Sequence, residues 1–398
     1  MSKFAPLRPE HLTDHSTLEF TLNTLTHHFP LSASGYRCHR QDLWRVLVSA
    51  AARRSTIEAT CHDLLSAPGS STVRSYLNEQ LAPQQVRSVQ DACKRALASQ
   101  IPGWLQHKAR HKALDIAIDL HDEPYYGTAD LHQDDHWGCR GEAQAGTTRF
   151  YRCATAYVMR DDVRFTLAVE FVHPTQSLVE IVQHLLQQVR TLHLQIARFY
   201  LDKAFCSVAV LRYLQHQTQL AAIIAVPLRG KQAGTRALCQ GRGSYLTTDT
   251  FVSPTYGSIT VPVGVLHTQA KRRDGSRRIQ WLSYVLLRVK AALSWVRQHY
   301  RLRFGIESSY RLLEQVRVKT TSNNPALRFL CIGLALVWGN IWIALHWHYL
   351  RVRGSGPSRV ARQLFTLERM ARFLCRAVEA VYGVISLVQS ENIKPAIY

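Results

Sequence analysis

Residues 113–120 read ALDIAIDL, a nearly continuous apolar run. It is too short for an ordinary helix and does not alternate polar with apolar, so it fits a strand buried on both faces. A sheet built around such a strand must be covered on both sides, and the residues that follow supply the cover. A polar loop spans 122–147. Residues 149–159 and 163–172 read as two further strands around a turn at Arg160-Asp161-Asp162. Residues 177–192 read as a helix, with Leu178, Ile181, Val182, Leu185 and Val189 on one face. Residues 196–201, IARFYL, form a short strand that ends at Asp202; 205–216 form a helix; and 221–226 form a strand closed by Pro227.

Strand, strand, strand, helix, strand, helix, strand is an antiparallel meander followed by two parallel crossovers. The order predicts an α/β chain: a ribonuclease H-like mixed sheet with flanking helices. Residues 229–285 interrupt it as a Gly-rich, β-leaning insertion, with strands at 245–251 and 258–266 and a basic turn at 271–278 containing Lys271, Arg272 and Arg273. Helices are expected at 291–317, 326–348 and 358–388. Ahead of the sheet, helical spacing marks 40–51. Ser55-x-x-Glu58 has the form of a capping box for a helix over 55–65, and Ser71 can cap another over 72–81 after a turn at Pro68-Gly69. The expected division is a helical N-terminal domain over 1–110, a catalytic domain over 111–228 and 286–350 interrupted by the 229–285 insertion, and a helical C-terminal region over 351–398 suited to dimerisation.

Charge narrows the choice of partner. Among 398 residues, 49 Lys and Arg stand against 28 Asp and Glu, a formal net charge of +21, and the pI is about 9.9. A surplus of this size points to a polyanion, with nucleic acid ahead of an acidic membrane. The opening residues contain no apolar h-region, and the nine cysteines include no CxxC pair. Reduced thiols and a cytoplasmic, nucleoid-associated location are therefore expected, with neither a disulfide framework nor a zinc ribbon. Residues 329–345 are apolar except for Asn340. Seventeen such residues fall short of the about 20 that a membrane span needs, so a buried core helix is expected and no membrane partner.

The candidate chemistry lies in acidic residues. Asp119 and Asp202 end two strands expected to be neighbours, which directs both carboxylates into the crevice beyond the strand ends. Glu307 sits on the later helix. Three carboxylates can hold two divalent cations for phosphodiester chemistry, and oxygen-only ligands favour Mg²⁺ or Mn²⁺. Tyr300, Arg303, Glu307 and Arg311 follow one another at spacings of three, four and four, which places them on one helical face, with the arginines available for phosphate oxygens. In the N-terminal domain, Arg74 and Asn78 lie on the polar face of the 72–81 helix and are suited to reading bases in a major groove. The loop group His121, Asp122, His132, Asp134, Asp135, His136 and Cys139 matches no familiar zinc spacing, although His121 and Asp122 stand close enough to Asp119 to support it.

The pattern Y-x2-R-x3-E at Tyr300, Arg303 and Glu307 resembles the signature helix of insertion-sequence DDE transposases of the YREK type. AIDLHDEPYYG at 117–127, FYLDKAF at 199–205 and YRLRFGIESSYR at 300–311 resemble the branch first seen in halophilic archaea. The resemblance covers residues 113–317. It implies that Asp119, Asp202 and Glu307 ligate the metals, and that Tyr300 and Arg303 contact DNA near the cleaved phosphate. It also implies that the chain, as a homodimer, pairs the terminal inverted repeats of its element, cuts them and joins them to target DNA. The signature Lys is replaced by Glu314, leaving Arg311 or Arg317 as the substitute cation. A metal-dependent nuclease of the same fold and a non-catalytic basic DNA-binding protein are the competing readings.

Overall fold

The computed structural model describes residues 11–36, 38–103, 105, 113–127, 137–144, 146–159, 165–230, 234–271, 275–303, 314–352 and 359–387. The chain divides into two units, Met1–Ala96 with Leu312–Tyr398, and Leu97–Arg311. The first unit opens with α1 (Asp14–His28), a Thr- and His-rich helix that satisfies its own hydroxyls. Thr17, Thr21, Thr24 and Thr26 each donate to the carbonyl four residues earlier. A short hairpin of β1 (Ser34–Gly35) and β2 (Cys38–His39) leads into α2 (Arg40–Ala52), α3 (Ile57–Asp63), α4 (Ser70–Gln80) and α5 (Val86–Ser99). The helix expected from Ser55 begins at Ile57, because the hydroxyl that accepts a free helix N–H, that of Ala59, belongs to Thr56. Likewise α4 starts at Ser70 with Gly69 as its cap residue, ahead of the expected cap at Ser71.

The second unit holds a mixed sheet of nine strands. In chain order its elements are β3 (Leu114–Pro124), β4 (Gly138–Gln144), β5 (Thr147–Val158), β6 (Thr166–Phe171), α6 (Leu178–Thr191), β7 (Ile196–Leu201), α7 (Val208–Arg212), β8 (Ala221–Ala225), β9 (Tyr245–Ser253), β10 (Gly257–Lys271), β11 (Arg277–Leu287) and α8 (Leu293–Arg303). The order across the sheet is β4-β5-β3-β7-β8-β11-β10-β9, with β6 also paired to β5. Strand β3 lies antiparallel to β5 and parallel to β7, and β7 lies parallel to β8. The parallel pairs are joined by α6 and α7, as the two crossovers required. Ser177 and Glu180 close a capping box at the start of α6, whose Ile181, Val182, Leu185, Leu186 and Val189 are buried. The strands of the expected insertion build no sheet of their own. Strand β11 pairs antiparallel with β8, and β10 and β9 follow, so they cover an edge of β8 that would otherwise be left unpaired.

The chain returns to the first unit with α9 (Pro325–Tyr349), β12 (Arg351–Val352), β13 (Arg359–Val360) and α10 (Leu367–Tyr382). Among the described residues α9 is the one helix long and apolar enough to cross a membrane, yet 89% of its apolar window is buried inside the protein. It is the core helix of its unit. Helix α10 packs against α1 and α2, where Arg53 binds Glu379 at 2.6 Å and Asp63 at 2.8 Å, and the Tyr382 hydroxyl donates to Asp42 at 2.6 Å. Residues 286–350, expected as one piece of the catalytic domain, are thus shared: 286–311 belong to the sheet unit and 312–350 to the helical one.

Candidate active site

The first apolar strand runs further than its hydrophobicity suggests. Strand β3 continues to Pro124, so Asp119 lies inside it. What ends beside Asp119 is the pairing. The parallel ladder to β7 stops at Ile118↔Leu201, whereas the antiparallel ladder to β5 continues to Pro124↔Phe150. Asp119 and Asp202 are therefore the next residues on two neighbouring strands, at the point where the sheet opens on the carboxyl side of β7. Such an opening is where ligands bind in sheets with parallel centres.

The pleat sorts the neighbours. Successive side chains alternate between faces, so Asp115, Ala117, Asp119 and His121 share one face and Asp122 takes the other. Asp122 forms a forked pair with Arg152, opposite it on β5, at 2.6 and 2.8 Å. It does not support Asp119, which corrects the expectation from proximity in sequence. His121 Nε2 lies 3.7 Å from Glu123 Oε2.

Helix α8 covers the Asp119 face. Val296 and Tyr300 pack with Ala117, Tyr157, Tyr200, Ile223, Tyr284 and Leu286 in one buried cluster. At the start of the helix Trp295 lies 4.7 Å from the Arg198 guanidinium, which itself makes a forked pair with Asp115 at 2.9 and 3.1 Å. At its end Arg303 reaches Asp119 and Asp202. The lengths match: eight residues of helix rise about 12 Å, and the four residues from Asp115 to Asp119 span about 13 Å of strand. The helix thus lies along β3 and delivers one arginine to the site.

Arg303 is 3% exposed. Its Nη2 stands 3.0 Å from Asp202 Oδ1 and its Nη1 3.4 Å from Asp119 Oδ1, so one guanidinium bridges both carboxylates. Burial works against the charge, yet Tyr300, Asp119 and Asp202 hold its pKa above the ordinary guanidinium value. Tyr300 is also enclosed, at 2% exposure, and its hydroxyl donates to the Leu201 carbonyl at 2.9 Å. That bond fixes the last residue of β7 immediately before Asp202. Burial, ahead of the neighbouring charges, pushes the Tyr300 phenol well above its usual pKa. As placed, Tyr300 turns its hydroxyl into the fold and Arg303 faces the two carboxylates.

Glu307 and Arg311 lie outside the described residues, as do Arg272, Arg273 and the loop residues His132, Asp134, Asp135 and His136. Lys271 ends β10, opposite Arg277 at the base of a hairpin. Among the described residues no group of three or more His, Cys, Asp or Glu side chains is placed to hold a metal ion. The two aspartates that converge offer only carboxylate oxygens. That donor chemistry fits Mg²⁺ or Mn²⁺ once a third acidic ligand joins. In the helical unit, Val73 and Leu77 of α4 are buried while Arg74 and Asn78 are exposed, and Arg74 lies 3.5 Å from Glu58.

The features that the sequence reading passed over are the bridging by Arg303, the Tyr300 anchor and the Asp115–Arg198 clasp. Matched charges on β3 and β7 were visible as residue types, but only the register makes them neighbours. No family model and no curated protein matches the chain. Among solved structures the chain is similar in fold to the piggyBac transposase, determined by cryo-EM as a synaptic complex with hairpin DNA, with a TM-score of 0.50 at 10% sequence identity over 92% of this chain and 77% of that one.

Proposed function

We propose that the chain is a DNA transposase of the DDE type with a ribonuclease H-like catalytic core. In this reading it binds the terminal inverted repeats of an insertion sequence as a homodimer, cleaves them, and transfers the freed 3′ ends to target DNA. One observation carries the reading: Asp119 and Asp202 stand side by side where the β3–β7 ladder opens, beneath the end of α8 at Arg303, four residues before Glu307 in the sequence. The fold shared with a transposase and the net charge of +21 support it.

Asp119, Asp202 and Glu307 would hold Mg²⁺ or Mn²⁺. The chemistry such ions supply is activation of an attacking water or 3′-hydroxyl and stabilisation of the leaving oxygen. The chain's own part is positional. The Tyr300 bond to the Leu201 carbonyl fixes the backbone that carries Asp202, and the β3–β5 ladder holds Asp119 rigid. Arg303 and Arg311 supply guanidinium donors for phosphate oxygens. Lysines and arginines elsewhere, including Lys271, Arg272 and Arg273, supply backbone affinity that falls with salt. Arg74 and Asn78 on α4 read the repeat. The YREK signature and a cytoplasmic, nucleoid-associated setting belong to the same reading.

The test is an assay of the purified chain on DNA that carries the sequences flanking its coding region, with a hairpin-ended version included. Mg²⁺-dependent release of 3′-hydroxyl ends, followed by their joining to a plasmid, is the expected outcome. Cleavage without joining would leave a nuclease of this fold, and binding without metal-dependent cleavage would leave a DNA-binding protein.

A further inference from the structure

The geometry points to Arg303 as a built-in counter-cation of the Asp119–Asp202 pair, one that competes with divalent metal for those carboxylates and so sets the metal affinity of the site. The inference rests on the metal-site reading above.

Two other arginine–aspartate contacts on β3 define the contrast. Arg198 meets Asp115, and Arg152 meets Asp122, each through two nitrogens on two oxygens of a single carboxylate. Fork on fork is the arrangement that a guanidinium makes when it serves one partner. Arg303 is divided. Its Nη2 donates to one oxygen of Asp202, while its Nη1 stands at ion-pair distance from one oxygen of Asp119. The carboxylates are thus held close together by a single charge that is 3% exposed. A guanidinium does not release its proton at any ordinary pH, so this charge leaves the carboxylates only by moving.

The oxygens that Arg303 occupies are those a metal needs. A Mg²⁺-sized ion binds carboxylate oxygen at about 2.0–2.1 Å, while Arg303 stands at 3.0 and 3.4 Å on one oxygen of each aspartate. A divalent charge placed there lies within a few ångströms of the guanidinium, and in a buried setting the repulsion between them is large. Metal and Arg303 therefore exclude one another from the bridging position. Metal loading must displace the arginine, which weakens the first binding event and frees a charged, forked donor beside the metals. Without metal, Arg303 prevents the two aspartates from repelling each other and opening the end of the sheet.

The test uses the full chain without DNA and Mn²⁺ as the probe, with binding measured by calorimetry and melting followed in chelator and in Mn²⁺. R303Q is expected to melt below the parent in chelator, to bind Mn²⁺ about tenfold more tightly or better, and to gain more in melting temperature from Mn²⁺ than the parent does. R303K keeps a point charge but cannot fork between two carboxylates, so its affinity is expected to fall between the two. A scaffold role for Arg303 gives the opposite sign, with Mn²⁺ binding unchanged or weaker in R303Q, and that result overturns the inference. If R303Q folds neither with nor without Mn²⁺, R303K decides: tighter than the parent supports competition, and equal or weaker rejects it. D202N in the parent background separates the two proposals. If the parent binds no Mn²⁺ that D202N abolishes, the metal-site reading fails and the inference falls with it. If the parent binds Mn²⁺ in a D202N-sensitive way and the Arg303 variants bind it no more tightly, the inference alone fails.

Discussion

Strand β3 carries two ionic sites on one face, four residues apart, and they are built to opposite plans. At Asp115 one carboxylate meets one guanidinium, Arg198, fork to fork, and the pair ties β3 to β7 with side chains partly in solvent. At Asp119 the ladder to β7 has ended, a second carboxylate has entered from Asp202, and one almost fully enclosed guanidinium serves both. The first arrangement is complete in itself. In the second, one guanidinium is divided between two aspartates, and Asp119 Oδ1 also accepts the Leu120 N–H at 3.0 Å. The same helix, α8, caps both sites, with Trp295 over Arg198 and Arg303 on the aspartates. The two sites are thus separated along a single strand by about two turns of overlying helix.

The most direct way to break this contrast is to neutralise each site in turn. D119N and D202N preserve shape and remove charge. Either is expected to lower metal-dependent cleavage by at least on the order of 10³-fold while leaving DNA binding within a few-fold of the parent, measured by gel shift on the same fragments. E307Q is expected to behave alike. Full cleavage by any of the three removes that residue from the site.

How far the sequence made this legible differs between the halves of the contrast. Asp202 was readable because six apolar-rich residues end abruptly at it, and β7 does end at Leu201. Asp119 was readable as a residue, but its strand was cut short. The second half of β3, LHDEP, is polar because it pairs only with β5 and leaves its other edge at the open crevice. Strand β4, GCRGEAQ, was hidden for a similar reason, since an edge strand need not be apolar. Helix α1 escaped notice because its buried face mixes Leu18 and Leu25 with Thr17, Thr21 and Thr24, whose hydroxyls are satisfied by the helix's own carbonyls, so its apolar period is weak. The Arg303 bridge and the Asp115–Arg198 clasp depend on register and on the direction of α8, which residue spacing alone does not supply.

The helical unit supplies a control on whether recognition is separate from chemistry. R74A and N78A on α4 are each expected to cost roughly 1–3 kcal/mol of preference for the terminal repeat over random DNA, for each true base contact, with cleavage of a pre-bound end unchanged. Competition binding at fixed salt measures the preference. An equal loss on both DNAs would reduce these residues to phosphate contacts. Within the sheet unit, Y300F tests the anchor. It removes the bond to the Leu201 carbonyl and is expected to cost about 1–2 kcal/mol of stability. It should also lower the cleavage rate through Asp202 without changing DNA affinity. A Y300F chain with parental cleavage would show that the end of β7 is held by packing alone.

The smallest effect is expected at the clasp, and it tests whether that site is only structural. Asp115 and Arg198 are partly exposed, with side chains 19% and 33% accessible, so solvent screens their attraction. Their forked geometry raises the value of the pair above that of a typical surface contact, and the Tyr200 hydroxyl adds a third, longer contact at 3.4 Å. Together these place the coupling at about 1 kcal/mol, to be measured by a double-mutant cycle with D115N and R198Q in denaturant unfolding. The cycle is needed because R198Q also loses packing on Trp295, which D115N leaves intact. Cleavage per folded molecule should stay at the parental value in all three variants. Exchanging the charges, with Arg at 115 and Asp at 198, should recover most of the coupling, since a forked pair is the same in either direction across a ladder. No such exchange should recover cleavage at Asp119. If the 115–198 variants lose cleavage while remaining folded, α8 transmits strain from one site to the other, and the two ends of the strand cannot be treated as separate.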